Sequence, residues 1–487
     1  MTVYQEPNGT DAIVVPLWIN GEQKTSSSSF KVISPGLGTA CWRAATASKG
    51  DVIEAIDAAQ GAFPSWSKTK PSMRVKILLR AADIMEHNID EYAGFMATEM
   101  GADIGVAKFF VTPLSICMLR DIASRISSIC GTVPVCQDEG TSCIVYKEPY
   151  GVTLGIVPWN APYVFGIRAA ATAIATGNTT ILKASELTPR CYWAIGKAFS
   201  EAGLPPGVLN ILTCPPFDAP NIVNAMIAHP AVKKINFTGS ASTGRKVARA
   251  CGENLKPCLM ELGGKNSAII LPDANLNKAV TECIAGSFLN AGQICMGTDR
   301  IILHAEIAQP FLAGLKAALT AMSKQPAPLP RVVSSASKDR LQSLVSSALA
   351  AGAEMVFRGD TDEVIDKSGT IFIPAILGGI KDDMEIWTQE SFGPVAAYMV
   401  VQDEDEAVRL ANTTEYGLSA AVFTKDLRKG LAIAKRLESG AVHINSMTIH
   451  DEPALPFGGI KSSGWGRFNA ASGMEEFLVT KSVTWDD

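Results

Sequence analysis

The chain has 487 residues, enough for about three domains by length, each able to bury its own core. Apolar residues make up 47% and charged residues 19%, with slightly positive mean hydropathy, which excludes a disordered chain. The net charge of −5 lacks the basic excess that nucleic acid or an acidic membrane surface would attract, so neither is expected as a partner.

The N-terminal "MTVYQEPNGTDAIVVP" carries acids and neither a basic region nor a long apolar run, and so does not read as a secretory signal. "TSSSSF" at 25–30 reads as a surface turn. Residues 50–130 read mainly as helix, through "KGDVIEAIDAAQGAF" with Asp51 near its start and "KILLRAADIMEHNIDEYAGFMATEM". Residues 132–148, "TVPVCQDEGTSCIVYKE", predict two strands around an "EGT" turn. The uncharged stretch 149–167 contains two internal prolines, an asparagine and three glycines, which break a membrane-spanning helix and point to turn-rich αβ structure.

From residue 151 short apolar strands alternate with helices: "GVTLGIVPW", "FGIRAAATAIATG", "NTTILKAS", "CYWAIGKAFSEAG", "GVLNILT", "IVNAMIAH", "VKKINFTGS" and a helix from "TGRKVARACG". That rhythm predicts βαβ units in a mostly parallel sheet. A second α/β region runs from "CLMELGGKNSAIIL" to about residue 445, with strands at "GTIFIPAILGG" and "AAYMVV" and helices at "KDRLQSLVSSALAAGA" and "DEDEAVRLANT". The last predicted strand, "FLVTKSVTW", has no neighbour in sequence to pair with, which suggests a partner in another subunit. Eleven cysteines without a CxxC pair argue against zinc and redox motifs, so no metal is expected and a reducing, cytoplasmic setting is the simpler assumption.

Three stretches place reactive groups beside turn formers. "VPWNAP" (157–162) sets Asn160 on a turn after a predicted strand, "MELGGK" (260–265) ends a strand at Glu261, and "FLNAGQICMGTDR" (288–300) carries Cys295. Each has a plainer reading: Asn160 as a turn former, Glu261 as a solvated or ion-paired carboxylate, Cys295 as core packing. The five histidines sit in no motif that pairs a base with a thiol or hydroxyl, which leaves a Cys–His or Ser–His–Asp hydrolase without support. A GxGxxG fingerprint is missing; the looser "FTGSASTG" (237–244) offers Gly239 and Gly244 at a strand–turn–helix junction that could meet a phosphate.

The three stretches, in this order, resemble the aldehyde dehydrogenase superfamily over nearly the whole chain. Glu261 and Cys295 stand 295 − 261 = 34 residues apart, and "PWN", "FTGS", "ESFGPV" (390–395) and "PFGGIKSSGWGR" (456–467) match in the same order. The resemblance implies an α/β fold. An open Rossmann-like parallel-sheet cofactor domain would cover 1–131 and 150–261, and a second α/β catalytic domain 262–455. Strands from 132–149 and 470–487 would form a small β oligomerisation element, consistent with a homodimer or homotetramer.

The resemblance also implies the chemistry: NAD-dependent oxidation of an aldehyde to the carboxylic acid. Cys295 would add to the carbonyl, and the resulting alkoxide would be stabilised by the Asn160 amide and the Cys295 backbone N–H. Hydride loss would leave a thioester, which Glu261 would hydrolyse by activating water. Lys183 and Glu186 would meet the adenosine ribose, and the Glu186 carboxylate would favour NAD over NADP. Gly239, Ser240 and Gly244 would line the pyrophosphate, Trp159 the cofactor pocket, and Glu390 with Phe392 the nicotinamide ribose and ring. Motifs such as "PWNAPYVFGIRAAA" and "HDEPALPFGG" are similar to the salicylaldehyde, benzaldehyde and vanillin dehydrogenase branch. On that basis Tyr163, Phe165, Arg168, Ile294 and Met296 would border the substrate, under a loop "SMTIHDEP", and an aromatic aldehyde is expected. Arg168 could meet a substrate hydroxyl or carboxylate, or form a structural ion pair. The alternatives are an aliphatic or semialdehyde dehydrogenase and a catalytically silent binding protein of the same fold. Two residues depart from the commonest pattern: Ser391, where a bulky aliphatic is usual, and Phe468, where many relatives carry an acid.

Overall fold

The structure, a computed structural model, describes residues 13–324, 329–359 and 366–486. The signal-sequence reading of the N-terminus falls mostly on residues outside that set.

Two large sheets organise the chain. The first has eight strands, and its five central ones are parallel, in the spatial order Cys258–Glu261, Val232–Thr238, Val152–Ile156, Thr179–Lys183, Leu209–Leu212. These strands are buried along nearly their whole lengths, as expected where helices cover both faces of a sheet. On one face pack the helices Lys49–Trp66, Ala219–Ala228 and Ala241–Glu253. The other face carries Pro71–His87, Ile89–Met100, Thr112–Arg125, Pro162–Ala175 and Pro189–Glu201. Ser48 and Asp51 start the first helix with a reciprocal capping box, a device worth about 1 kcal/mol. After its third parallel strand the chain returns to the far side of the first. The strand order therefore switches between Val152–Ile156 and Val232–Thr238, and the crevice beyond their carboxyl ends is where such folds bind ligands.

The second sheet has seven strands drawn from 266–444. Six are parallel and the edge strand Glu354–Arg358 runs antiparallel to Ala375–Gly378. The chain crosses from the first sheet to the second between Glu261 and Asn266, so the loop 262–265 lies at their junction. The stretch 149–167 is resolved into strand, turn and helix. Among the described residues no helix is long and apolar enough to cross a membrane.

Three strand expectations need correction. The hairpin predicted over 132–148 is absent: Thr132 makes a single bridge to Val145, and only Thr141–Pro149 forms a strand. Pro134 and the polar run "QDEG" supply little for a ladder. That strand pairs instead with Leu478–Asp486 along nine residues, from Leu478↔Pro149 to Asp486↔Thr141. The terminal strand thus finds its partner within its own chain. Near 370, the strand predicted from "GTIFIPAILGG" begins only at Ala375, after Pro374, which has no N–H to give.

Candidate active site

Cys295 follows a loop held in an uncommon backbone. Asn290, Ala291 and Gly292 all have left-handed φ, at 51°, 54° and 68°. At Gly292 a Cβ would lie 2.1 Å from the Gly393 carbonyl oxygen, so the close approach of "FGP" requires glycine. The Asn266 side chain donates to the carbonyls of Cys295 and Gly297, both at 2.9 Å, pinning the loop from behind. Cys295 is 8% exposed and lines a largely apolar cavity.

Asn160 ends the turn after Val152–Ile156, and its side-chain N–H donates to the Gln293 carbonyl at 3.0 Å. Gln293 was not singled out in the sequence, yet its own amide is fixed three ways. It accepts from the Val333 N–H at 2.8 Å and donates to the carbonyls of Arg331 and Asn290, each at 3.2 Å. Glu261 closes its strand 1% exposed, with one carboxyl oxygen lacking any hydrogen-bond partner. Burial pushes its pKa up to about 7; the Arg168 charge and the Cys295 thiol pull the other way. Burial, reinforced by Glu261, also holds the Cys295 thiol well above its ordinary value. The structure therefore brings Cys295, Glu261 and Asn160 to one place.

The cofactor candidates lie along the crevice at the strand ends. Lys183 ends its strand and pairs with Glu186 at 3.4 Å. Ser240 caps the helix Ala241–Glu253, accepting from the Thr243 N–H at 3.4 Å, and the first turn carries no acid. Such an end favours an anion, and a carboxylate at Glu186 suits ribose hydroxyls, so these residues fit a dinucleotide. Trp159 and Phe392 meet edge to face at 5.7 Å, with Phe392 held at a φ of 47°. Glu390 turns back over the Gly263–Gly264 backbone and accepts from the Gly264 N–H at 3.1 Å. Burial, with Asp299 adding, pushes its pKa up to about 8. Gly244 is a correction. It lies one turn into the helix and is buried against Leu262, so it serves helix–strand packing rather than phosphate contact.

Ser391, unusual at its position, is explained by a buried cation. Its hydroxyl accepts from Lys265 Nζ at 2.9 Å, and Lys265 also faces Asp299 at 3.5 Å, with burial bringing its pKa down to about 8. An aliphatic residue there would leave that ammonium short of a partner.

The substrate candidates divide. Phe165, Ile294 and Met296 line the cavity with Asn160 and Cys295. Tyr163 does not. Its ring stacks on Tyr92 at 5.3 Å and its hydroxyl donates to the Tyr92 carbonyl at 2.8 Å. The reason is helical period: residues 161, 164, 165 and 168 share one face of Pro162–Ala175, and 163 faces away. Arg168 is an ion-pair partner, bonded through Nη2 to Asp451 and surrounded by Phe457, Phe468 and Phe165 at 4.4, 5.4 and 5.6 Å. Phe468, the second departure, thus packs on the guanidinium whose acid is Asp451. Missed in the sequence was the wall Val106, Phe110, Val111 and Leu114, around a π-helical turn at Ala107–Val111. Their spacing of four, five and eight was a readable helical stripe. Ile449, Asp451 and Phe457 complete the lining, the first two from the loop expected over the cavity.

Comparison with known proteins defines the class. The aldehyde dehydrogenase family matches residues 18–483, and the chain belongs to that family. It is an oxidoreductase that oxidises an aldehyde to the acid with a nicotinamide dinucleotide. More particularly, it is 40% identical over 477 residues to a vanillin dehydrogenase of Pseudomonas fluorescens, covering 96% of this chain and 97% of the relative. The structure of a salicylaldehyde dehydrogenase from Pseudomonas putida, complexed with salicylaldehyde, superposes with a TM-score of 0.93 at 35% identity and covers 98% of each chain. A betaine aldehyde dehydrogenase from Staphylococcus aureus in complex with NAD+ gives a TM-score of 0.93 at 28% identity, covering 97% of this chain and 95% of that one.

Proposed function

We propose that the enzyme oxidises an aromatic aldehyde with NAD, using Cys295 as nucleophile, Glu261 as base and Asn160 as oxyanion donor. The observation that carries this reading is that Cys295 and Asn160 line one apolar cavity walled by Phe110, Phe165 and Phe457, while the buried Glu261 carboxyl contacts the Cys295 thiol. Asn160 spends one N–H on Gln293, which aims the amide and leaves the other N–H for the developing alkoxide. Glu261, titrating near neutrality, can take the thiol proton as sulfur adds to the carbonyl, and later a proton from the attacking water. A bound nicotinamide dinucleotide supplies the two-electron acceptor. Glu186, Ser240, Trp159, Glu390 and Phe392 would bind and orient it, with Glu186 disfavouring a 2′-phosphate.

The named relatives acting on vanillin and salicylaldehyde support the aromatic choice. A semialdehyde with a terminal carboxylate fits less well, because no lysine or arginine is among the described residues that line the cavity and Arg168 is ion-paired with Asp451. A homodimer or homotetramer is supported by the two-stranded sheet, which exposes Tyr146, Val483 and Trp485. The described cysteines are all free thiols, in keeping with a reducing, cytoplasmic setting. The test of substrate class is turnover of benzaldehyde, propanal and succinic semialdehyde with NAD and with NADP. The expected order puts benzaldehyde with NAD first; a strong preference for either aliphatic substrate contradicts it.

A further inference from the structure

We propose that Asp451 is a specificity-determining residue, selecting ring-substituted aldehydes that present a hydrogen-bond donor, a phenolic hydroxyl above all, and rejecting anionic ones. The inference rests on the aromatic reading above and assigns a polar group of that same cavity.

Four lining side chains can hydrogen-bond: Asn160, Asn290, Cys295 and Asp451. The first three belong to the reacting end, with Asn290 donating to the Asn160 carbonyl at 3.4 Å. Asp451 comes from a different segment, the loop that also brings Ile449 to the wall. Its side chain is 6% exposed and held from behind, by Arg168 Nη2 at one oxygen and by Asn469 Nδ2 at the other, at 2.9 Å. Two partners do not exhaust a carboxylate, whose oxygens offer about four acceptor sites. Arg168 packs on Phe165 and Phe457 and is not among the residues that line the cavity, whereas Asp451 is.

An acceptor-only group in a largely apolar pocket sorts substituents by chemistry. A phenol donates to it, a methoxy group cannot, and a carboxylate brings like charge into a site where desolvation magnifies the repulsion. The ion pair and the Asn469 contact also fix the carboxylate's orientation before any substrate arrives, so little ordering cost remains.

The experiment measures kcat/KM on the unaltered enzyme with NAD for benzaldehyde and its 2-, 3- and 4-hydroxy, methoxy and carboxy derivatives, at a pH where the phenols are un-ionised. At least one hydroxy isomer should exceed benzaldehyde by about tenfold, its methoxy counterpart should not, and every carboxy isomer should fall about tenfold or more below. In Asp451→Asn the hydroxy advantage should shrink by about tenfold and the carboxylate deficit should narrow. Turnover of the whole series without a hydroxy advantage, or an advantage untouched in Asp451→Asn, overturns this inference and leaves the aromatic reading standing. Turnover of none of them overturns the aromatic reading and this inference with it. Should the variant fail to fold, the substituent series on the unaltered enzyme decides alone.

Discussion

The side-chain amide of Asn160 donates to the backbone carbonyl of Gln293 at 3.0 Å, joining the turn after the first parallel strand to the loop two residues before Cys295. A carbonyl can only accept, so the contact fixes which face of the amide carries nitrogen. Gln293 is in turn anchored to residues 331–333, so the aim of Asn160 is set by a part of the chain that touches no substrate.

From this follows a coupled loss. Asn160→Ala should lower kcat by about a hundredfold or more, the usual cost of one oxyanion donor. Gln293→Ala should lower it by about tenfold, and the double variant should be no slower than Asn160→Ala alone. Steady-state kinetics on the three proteins checks it; multiplicative losses contradict a role for Gln293 through Asn160.

Glu261 should leave its mark on pH dependence. With a pKa raised to about 7, kcat/KM should climb as the pH rises through neutrality. Stability should move the other way. The folded state keeps a proton that the unfolded chain has released, so this contribution is fully present below the ordinary carboxylate range and lost as pH rises through about 7. Glu261→Gln removes the penalty. Its gain in stability over wild type should be larger near about pH 8 than near about pH 5, by something on the order of 3 kcal/mol. Denaturant melts at both pH values test this, and an equal gap contradicts it.

Glu186 should govern the choice of dinucleotide. Paired with Lys183 at 3.4 Å, it keeps an acceptor at the strand end. Glu186→Ala should raise the NADP-to-NAD ratio of kcat/KM by about tenfold or more, through removal of the repelled charge and release of Lys183. A ratio that stays put places the selectivity elsewhere.

Tyr163 and Phe165 should separate cleanly. Tyr163→Phe loses a buried hydrogen bond to the Tyr92 carbonyl and should cost about 1 kcal/mol of stability with kcat/KM nearly unchanged. Phe165→Ala should raise KM for benzaldehyde while disturbing the fold less than its size suggests, since one face already borders the cavity. A Tyr163→Phe enzyme with altered substrate preference contradicts the assignment.

The limits of reading this chain from sequence follow physical range. Parallel strands buried on both faces produce continuous apolar runs, and residues at their carboxyl ends, Asn160, Lys183 and Glu261, could be placed because the run ends at a turn. Cys295 is harder: the left-handed residues 290–292 that precede it, and the close approach of Gly292 to Gly393, are tertiary features that no local pattern encodes. The partner of Leu478–Asp486 lay more than three hundred residues away, so its pairing left no local trace. For Tyr163 the family resemblance points to the substrate, whereas the helical period turns its side chain toward Tyr92. Gly244 was misread as part of a phosphate turn, when its buried helical position answers to Leu262.

The most direct test of a sulfur nucleophile served by a separate base is a single turnover of Glu261→Gln, mixed with NAD and benzaldehyde, followed by absorbance and by peptide mass mapping. The account predicts one equivalent of reduced cofactor, then a stall, with a benzoyl group retained on the peptide that contains Cys295. No adduct, or an adduct on any other residue, contradicts it.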